Sequence, residues 1–175
     1  MALPPKISEL DFIRLTKNHR EWSGSLGRLG HSSASTGLLQ QAEIVALCWY
    51  RLGQEHLVDA RFAEIGGRFR SAYSRAYYAA YNASKALRYF AQGYVSLLGD
   101  DHKKAGIDLP DDFPQVEQWS QKITLLLEYR QRADYDNWSG TVGEFALSAA
   151  ECCDIAEQFI HEVAKFFDSK FGVKV

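Results

Sequence analysis

Residues 68–92 place Phe69, Ala72 or Tyr73, Ala76, Ala80, Ala83, Leu87 and Phe90 at steps of three and four, the spacing that puts side chains on one face of an α-helix. Most of that face is alanine. Side chains this small let a neighbouring helix approach closely, so a helix built this way belongs at the centre of a bundle rather than at its edge. No other stretch of the chain limits the choice of fold as much.

Three further stretches carry the same periodicity. Residues 42–63 repeat it through Ala42, Val45, Cys48 or Trp49, Leu52, Leu57, Ala60 and Ala63; Gly53 weakens the pattern without reversing it. Asp111 and Asp112 ahead of Pro114 suit the first turn of a third helix, whose buried stripe is Val116, Trp119, Ile123, Leu126 and Leu127 and whose end falls near Arg132. A fourth starts at Thr141, with Glu144 three residues on as a capping box. It buries Ala149, Cys152 or Cys153, Ala156, Phe159 or Ile160, Val163 and Phe166 or Phe167, and runs to about Ser169. No stretch alternates like a strand, and short connections between long helices favour antiparallel packing. The expected fold is all-α, an antiparallel bundle of four helices, up to five. Gly99, Asp100, Asp101, Gly106, Asp108 and Pro110 mark residues 99–112 as a loop. Residues 1–37 read as an N-terminal arm, with a short helix over 7–17 and a connector over 23–37 whose four glycines and five serines predict flexibility. Residues 38–175 form the bundle.

The chain has 175 residues, 46% of them hydrophobic, and a formal charge of −2, enough apolar material for one core and too little charge for a disordered chain. No run nears the roughly eighteen apolar residues that span a bilayer. Lys6, Glu9 and Asp11 stand where a secretory leader needs an apolar stretch, so the expected setting is cytoplasmic, with no membrane partner. Cys48, Cys152 and Cys153 are odd in number and sit in apolar helical patterns, which reads as reduced core thiols rather than disulfides. With no CxxC or HxxxH pair beside them, neither a metal nor a cofactor is expected. Charge is uneven: residues 51–88 hold seven Lys and Arg against three Asp and Glu, a balance of +4, while residues 100–168 hold six against fifteen, a balance of −9. Only the first stretch can meet an anion unaided.

Two segments go further. Ser74-Arg-Ala-Tyr-Tyr-Ala-Ala-Tyr-Asn-Ala-Ser-Lys-Ala-Leu lies on the central helix, and Glu128-Tyr-Arg-Gln-Arg-Ala-Asp-Tyr-Asp closes the third. The first resembles the tyrosine- and alanine-rich central helix of the HEPN family of small helical-bundle domains. The second resembles the Arg-x-x-Ala-Asp-Tyr element that several branches of that family carry after the third helix. The likeness covers roughly residues 40–168. It implies a homodimer-forming bundle, often found with a nucleotidyltransferase-like partner protein or in a toxin–antitoxin or defence setting, whose active members cleave RNA without metal. Their signature is an Arg followed, after four to six residues, by a His. Here the His slots counted from Arg130 hold Tyr135, Asp136 and Asn137, and those counted from Arg132 hold Asn137, Trp138 and Ser139. The chain therefore resembles a branch without the nuclease histidine.

Metal-free RNA cleavage needs one group that takes the 2′-hydroxyl proton near neutral pH and another that steadies the phosphorane charge. Arg130 and Arg132 can do only the second. His102, in the predicted loop, is the best substitute base because its ordinary pKa lies near the working range, although a loop histidine beside Asp100 and Asp101 needs no function. His19, His31, His56 and His161 read as surface residues. Arg130, Arg132, Asp134, Tyr135 and Asp136 put cationic forks, acceptors and a phenol at one helix end, a set able to hold phosphate; the plain alternative is a helix terminus with local ion pairs. Tyr73, Tyr77, Tyr78 and Tyr81 read as packing aromatics, and Arg68, Arg70 and Arg75 as a solvated basic face that could meet phosphate. The favoured reading is a HEPN-like module that binds RNA, a nucleotide or a protein partner through residues 130–136, with catalysis left open. The alternatives are a metal-independent endoribonuclease using Arg130 or Arg132 with His102, and an oligomeric helical scaffold.

Overall fold

The alanine-faced segment is a helix in the middle of the molecule. A computed structural model describes residues 17–96, 100–136 and 145–175. They form α1 (His19–Arg28), α2 (Ser32–Ile65), α3 (Phe69–Gln92), α4 (Asp101–Ile107), α5 (Val116–Tyr135) and α6 (Ala149–Phe171). Among the described residues there is no strand, and an antiparallel bridge joins Asn18 to Tyr94. The all-α bundle is as expected. α3 packs against α2, α4, α5 and α6, and Ala72, Ala76, Ala79, Ala80, Ala83 and Ala86 on it have no exposed surface. Around them lie Trp119, Ile123 and Leu126 of α5 and Cys152, Ala156, Phe159, Val163 and Phe167 of α6, all buried. The closest approach is at Gly53 of α2, where a Cβ would stand 2.9 Å from the backbone oxygen of Ala79 and 3.3 Å from the nitrogen of Ala83. Two helix backbones touch there, which only glycine allows.

Several local expectations are corrected, most of them by contacts between different helices. The connector over 23–37 is helical over 23–28, the end of α1, and over 32–37, the start of α2. Its serines serve packing: Ser23 Oγ and Ser35 Oγ lie 2.6 Å apart, and Ser35 Oγ donates to Ser23 O at 2.9 Å, closing the corner around Gly30 at φ 84°. α1 is pinned to the end of α3 by Arg20, which donates twice to Phe90 O at 3.0 and 2.7 Å. His19, expected at the surface, is buried against the Tyr89 ring, 4.6 Å between centroids.

The loop expected over 99–112 contains α4. A helix this short does not hold in isolation. Here the buried Arg88 donates to Asp101 at 2.9 Å, and Ser84 Oγ donates to Ala105 O at 2.6 Å. α5 runs on to Tyr135 rather than ending near Arg132, because Arg70 reaches its terminal carbonyls at Ala133 and Asp136. The capping box of α6 is made by Ser148 and Glu151; Thr141 and Glu144, expected in that role, lie outside the described residues, as does 7–16 of the expected N-terminal helix. Cys48 faces solvent, whereas Cys152 and Cys153 are core residues whose thiols burial pushes up to about 12 and about 11.

Candidate functional site

Residues 130 and 134 are one helical turn apart, so the continuation of α5 to Tyr135 sets Arg130 and Asp134 on one side of the helix. Arg130 Nε is 2.8 Å from Asp134 Oδ2, an ionic contact off the N–H direction. Nη2 donates to the Tyr78 hydroxyl at 2.8 Å and Nη1 to that of Tyr135 at 3.3 Å. The guanidinium also lies over both rings, 5.4 Å from Tyr78 and 5.1 Å from Tyr135. Burial pulls the Arg130 pKa down, but the hydrogen bonds it donates to Tyr135 and Tyr78, with the Asp134 charge, outweigh it and hold it above the ordinary value. Arg130 is thus a fixed cation clamped by three residues, with Tyr135 itself 72% exposed beside it.

Arg132 does not join this cluster. Two residues along a helix is about 200° of rotation, and its guanidinium lies over the Phe145 ring, 4.5 Å from the centroid, at the start of the α6 side. Asp136 contributes its backbone oxygen to Arg70, and its carboxylate is not part of the Arg130 clamp described above. The candidate segment therefore divides, with Arg130, Asp134 and Tyr135 on one side and Arg132 on the other.

Beside the clamp runs a groove of about 640 Å³ lined by His56 of α2, by Arg70, Ser71, Ser74, Arg75 and Tyr78 of α3, and by Ala133 and Asp134 of α5. Ser74 Oγ donates to Asp134 at 3.4 Å. Arg75 Nη1 lies 3.1 Å from His56 Nδ1. Arginine can only donate, so Nδ1 is the acceptor and the imidazole proton sits on Nε2. Burial and the Arg75 charge lower the His56 pKa, opposed by Asp59 and Glu55, which keeps the ring neutral at pH 7. Sequence reasoning took His56 for a surface residue. Its partner is nineteen positions away on another helix, and no local spacing joins them.

His102 stands on α4, not in a loop. Its Nδ1 is 2.8 Å from the Tyr77 hydroxyl, and its ring stacks on Tyr81 at 4.5 Å. The mount is stiff: Tyr81 donates to Asp101 at 2.7 Å, beside the buried Arg88–Asp101 pair. Burial and the Arg130 charge lower the His102 pKa, opposed by Asp101. Burial also raises those of the Tyr77 and Tyr81 hydroxyls. The Tyr78 ring lies 6.1 Å from the His102 ring while its hydroxyl holds Arg130. Arg130 and His102 therefore share an electrostatic neighbourhood, with separate hydrogen-bond partners. Among the described residues no three of His, Cys, Asp and Glu gather so as to hold a metal ion, and no helix is long and apolar enough to cross a membrane.

Neither a curated protein nor a solved structure matches the chain. The family model of the HEPN domain matches residues 46–166, which takes in the groove from His56 to Asp134, the Arg130 clamp and His102. Covering more than half of the chain, with the bundle and the Arg-x-x-Ala-Asp-Tyr element in place, that match makes the protein a member of the HEPN domain family.

Proposed function

We propose that this HEPN-domain protein is a binding module for phosphate-bearing ligands, RNA or a nucleotide, held in the groove between α2, α3 and the end of α5. The observation that carries the reading is the lining of that groove: Arg75 with the neutral His56, two serines, and a wall made by Tyr78 and Asp134 of the Arg130 clamp. Arginine forks and serine hydroxyls are donors suited to phosphate oxygens, and an exposed phenol such as Tyr135 beside a fixed cation offers a face for base stacking. Arg130 acts here mainly by holding Tyr78, Asp134 and Tyr135 in position. Family membership also supports, within this proposal, a toxin–antitoxin or defence setting with a nucleotidyltransferase-like partner.

Fluorescence anisotropy with a short labelled single-stranded RNA tests the reading. Weak binding that declines with added salt is expected, reduced about tenfold by Arg75→Ala, the worth of a lost charge-assisted hydrogen bond, reduced also by Arg130→Ala, which releases Tyr78 and Asp134 of the groove wall, and little changed by Arg132→Ala. Unchanged binding in the first two variants, with the fold intact, would reduce the end of α5 to a structural terminus. Metal-independent cleavage is the competing reading, favoured by the neutral His102 within the field of Arg130. The RNA is expected to remain intact in the presence of chelator; robust cleavage lost in His102→Ala would make the protein a nuclease instead.

A further inference from the structure

α2 has a buried apolar face and, opposite it, an exposed seam with apolar residues at both ends and a charge pair at its centre. The buried face holds Ala42, Val45, Trp49, Gly53, Ala60 and Ala63. On the opposite side Ile44, Cys48, Arg51, Glu55, Val58 and Phe62 follow one another at steps of four, three, four, three and four, and all are exposed. Val58 is 69% exposed and Phe62 76%. Ile65, one step further, is 82% exposed. A repeat averaging 3.5 residues is the spacing of a coiled-coil seam, and exposed Ile44, Val58, Phe62 and Ile65 on one side of a helix mark a surface that meets a partner.

The seam is complementary to itself in one register. Arg51 and Glu55 lie two residues either side of Gly53, Cys48 and Val58 five, and Ile44 and Phe62 nine. An antiparallel pair of α2 helices with its two-fold axis at the level of Gly53 sets Arg51 against Glu55 of the other copy, twice. The same operation puts Cys48 level with Val58 and Ile44 level with Phe62. A parallel pair would oppose Arg51 to Arg51 and Glu55 to Glu55. Charge and apolar positions therefore select the same isologous arrangement.

We propose that the outer face of α2 is an interface between two copies of this chain, packed antiparallel as a short coiled coil centred at Gly53. The axis lies in the interface and runs perpendicular to both helices, so whatever sits on one flank of α2 occurs twice on the same flank of the pair. His56, next to Glu55, is on such a flank, and two Arg75–His56 grooves lie side by side across helices whose axes are about 8–10 Å apart. If the phosphate reading of the groove holds, an RNA strand can engage both grooves and a mononucleotide only one.

Sedimentation of the full chain under reducing conditions, at tens of micromolar, is expected to show a dimer. Phe62→Glu, Arg51→Glu and Glu55→Arg are each expected to give monomer, with helical circular dichroism unchanged and melting that no longer depends on protein concentration. An equimolar mixture of the Arg51→Glu and Glu55→Arg chains is expected to regain the dimer, because both crossed contacts again join opposite charges. Val58→Cys is expected to cross-link to Cys48 of the other copy on mild oxidation, where the unaltered chain does not. A monomeric unaltered chain, whether residues 1–16 or a different protein covers the seam, overturns the proposal. So do charge variants that dimerise normally, or a mixture that stays monomeric. RNA affinity is read separately: a dimer that ignores RNA sinks only the groove reading, and a monomer that binds RNA sinks only the interface.

Discussion

Gly53 shows how much one missing methyl group decides. Adding a Cβ there would drive it to 2.9 Å from a backbone oxygen of α3, and backbone cannot swing aside as a side chain can. Gly53→Ala is expected to destabilise the fold by about 1–3 kcal/mol, the cost of overpacking a close-packed interior, seen as a lower urea midpoint with an unchanged slope. Arg88 and Asp101 are the opposite case, a buried pair whose side chains are only 2% and 7% exposed. Asp101→Ala leaves a guanidinium in the core without its countercharge and is expected to cost about 3–5 kcal/mol. The same variant frees the Tyr81 hydroxyl and loosens the mount of His102, so the His102 imidazole signals in NMR should broaden or shift. Residues of this kind are half legible in sequence. Arg130, Asp134 and Tyr135 were singled out from residue type and order. Gly53 passed for a weakness in its helix and His56 for surface decoration, because what defines each is an atom on α3.

α1 is the element whose docking responds to pH. His19 is buried against Tyr89, its Nδ1 has no hydrogen-bond partner among the described residues, and burial, helped by the Arg20 charge, lowers its pKa to about 4 from 6.5. Protonation thus favours the undocked helix, in which the imidazole meets water. The stabilising contribution is complete above pH 6.5 and is lost progressively as pH falls towards 4. Hydrogen exchange over residues 19–28, corrected for intrinsic rates, should accelerate between pH 7 and pH 5, and His19→Leu should flatten that dependence. Arg20→Ala, which removes two hydrogen bonds to Phe90 O, should raise exchange in α1 at every pH. α4 teaches the same lesson from another side. The glycines and aspartates of residues 99–112 read as a loop, yet anchoring to Arg88 and Ser84 makes seven of those residues helical. Short elements take their conformation from their neighbours.

For the molecule as a whole, net charge conceals the feature that matters, since residues 51–88 carry +4 while residues 100–168 carry −9. Binding of RNA should be confined to the side where α2 and α3 meet the end of α5. The logarithm of affinity should decline linearly with the logarithm of salt concentration, and Arg75→Ala should reduce that slope by about 0.7, one phosphate contact on a single strand. A slope unchanged in that variant would place the contact elsewhere. Protonating His56 adds a cation beside the phosphate, and since burial and Arg75 hold its pKa below the ordinary histidine value, affinity should also rise as pH falls below the ordinary histidine range. Taken alone, the sequence determined that the chain is a helical bundle and that its alanine-rich segment is the central helix, because apolar periodicity is written into neighbouring residues and every long helix must bury its stripe. Tertiary structure alone decided which polar groups meet: that Arg130 is held by Tyr78, that His56 faces Arg75, that α4 exists and that His19 is inside. Those outcomes depend on contacts between different helices, whose energies no local pattern contains.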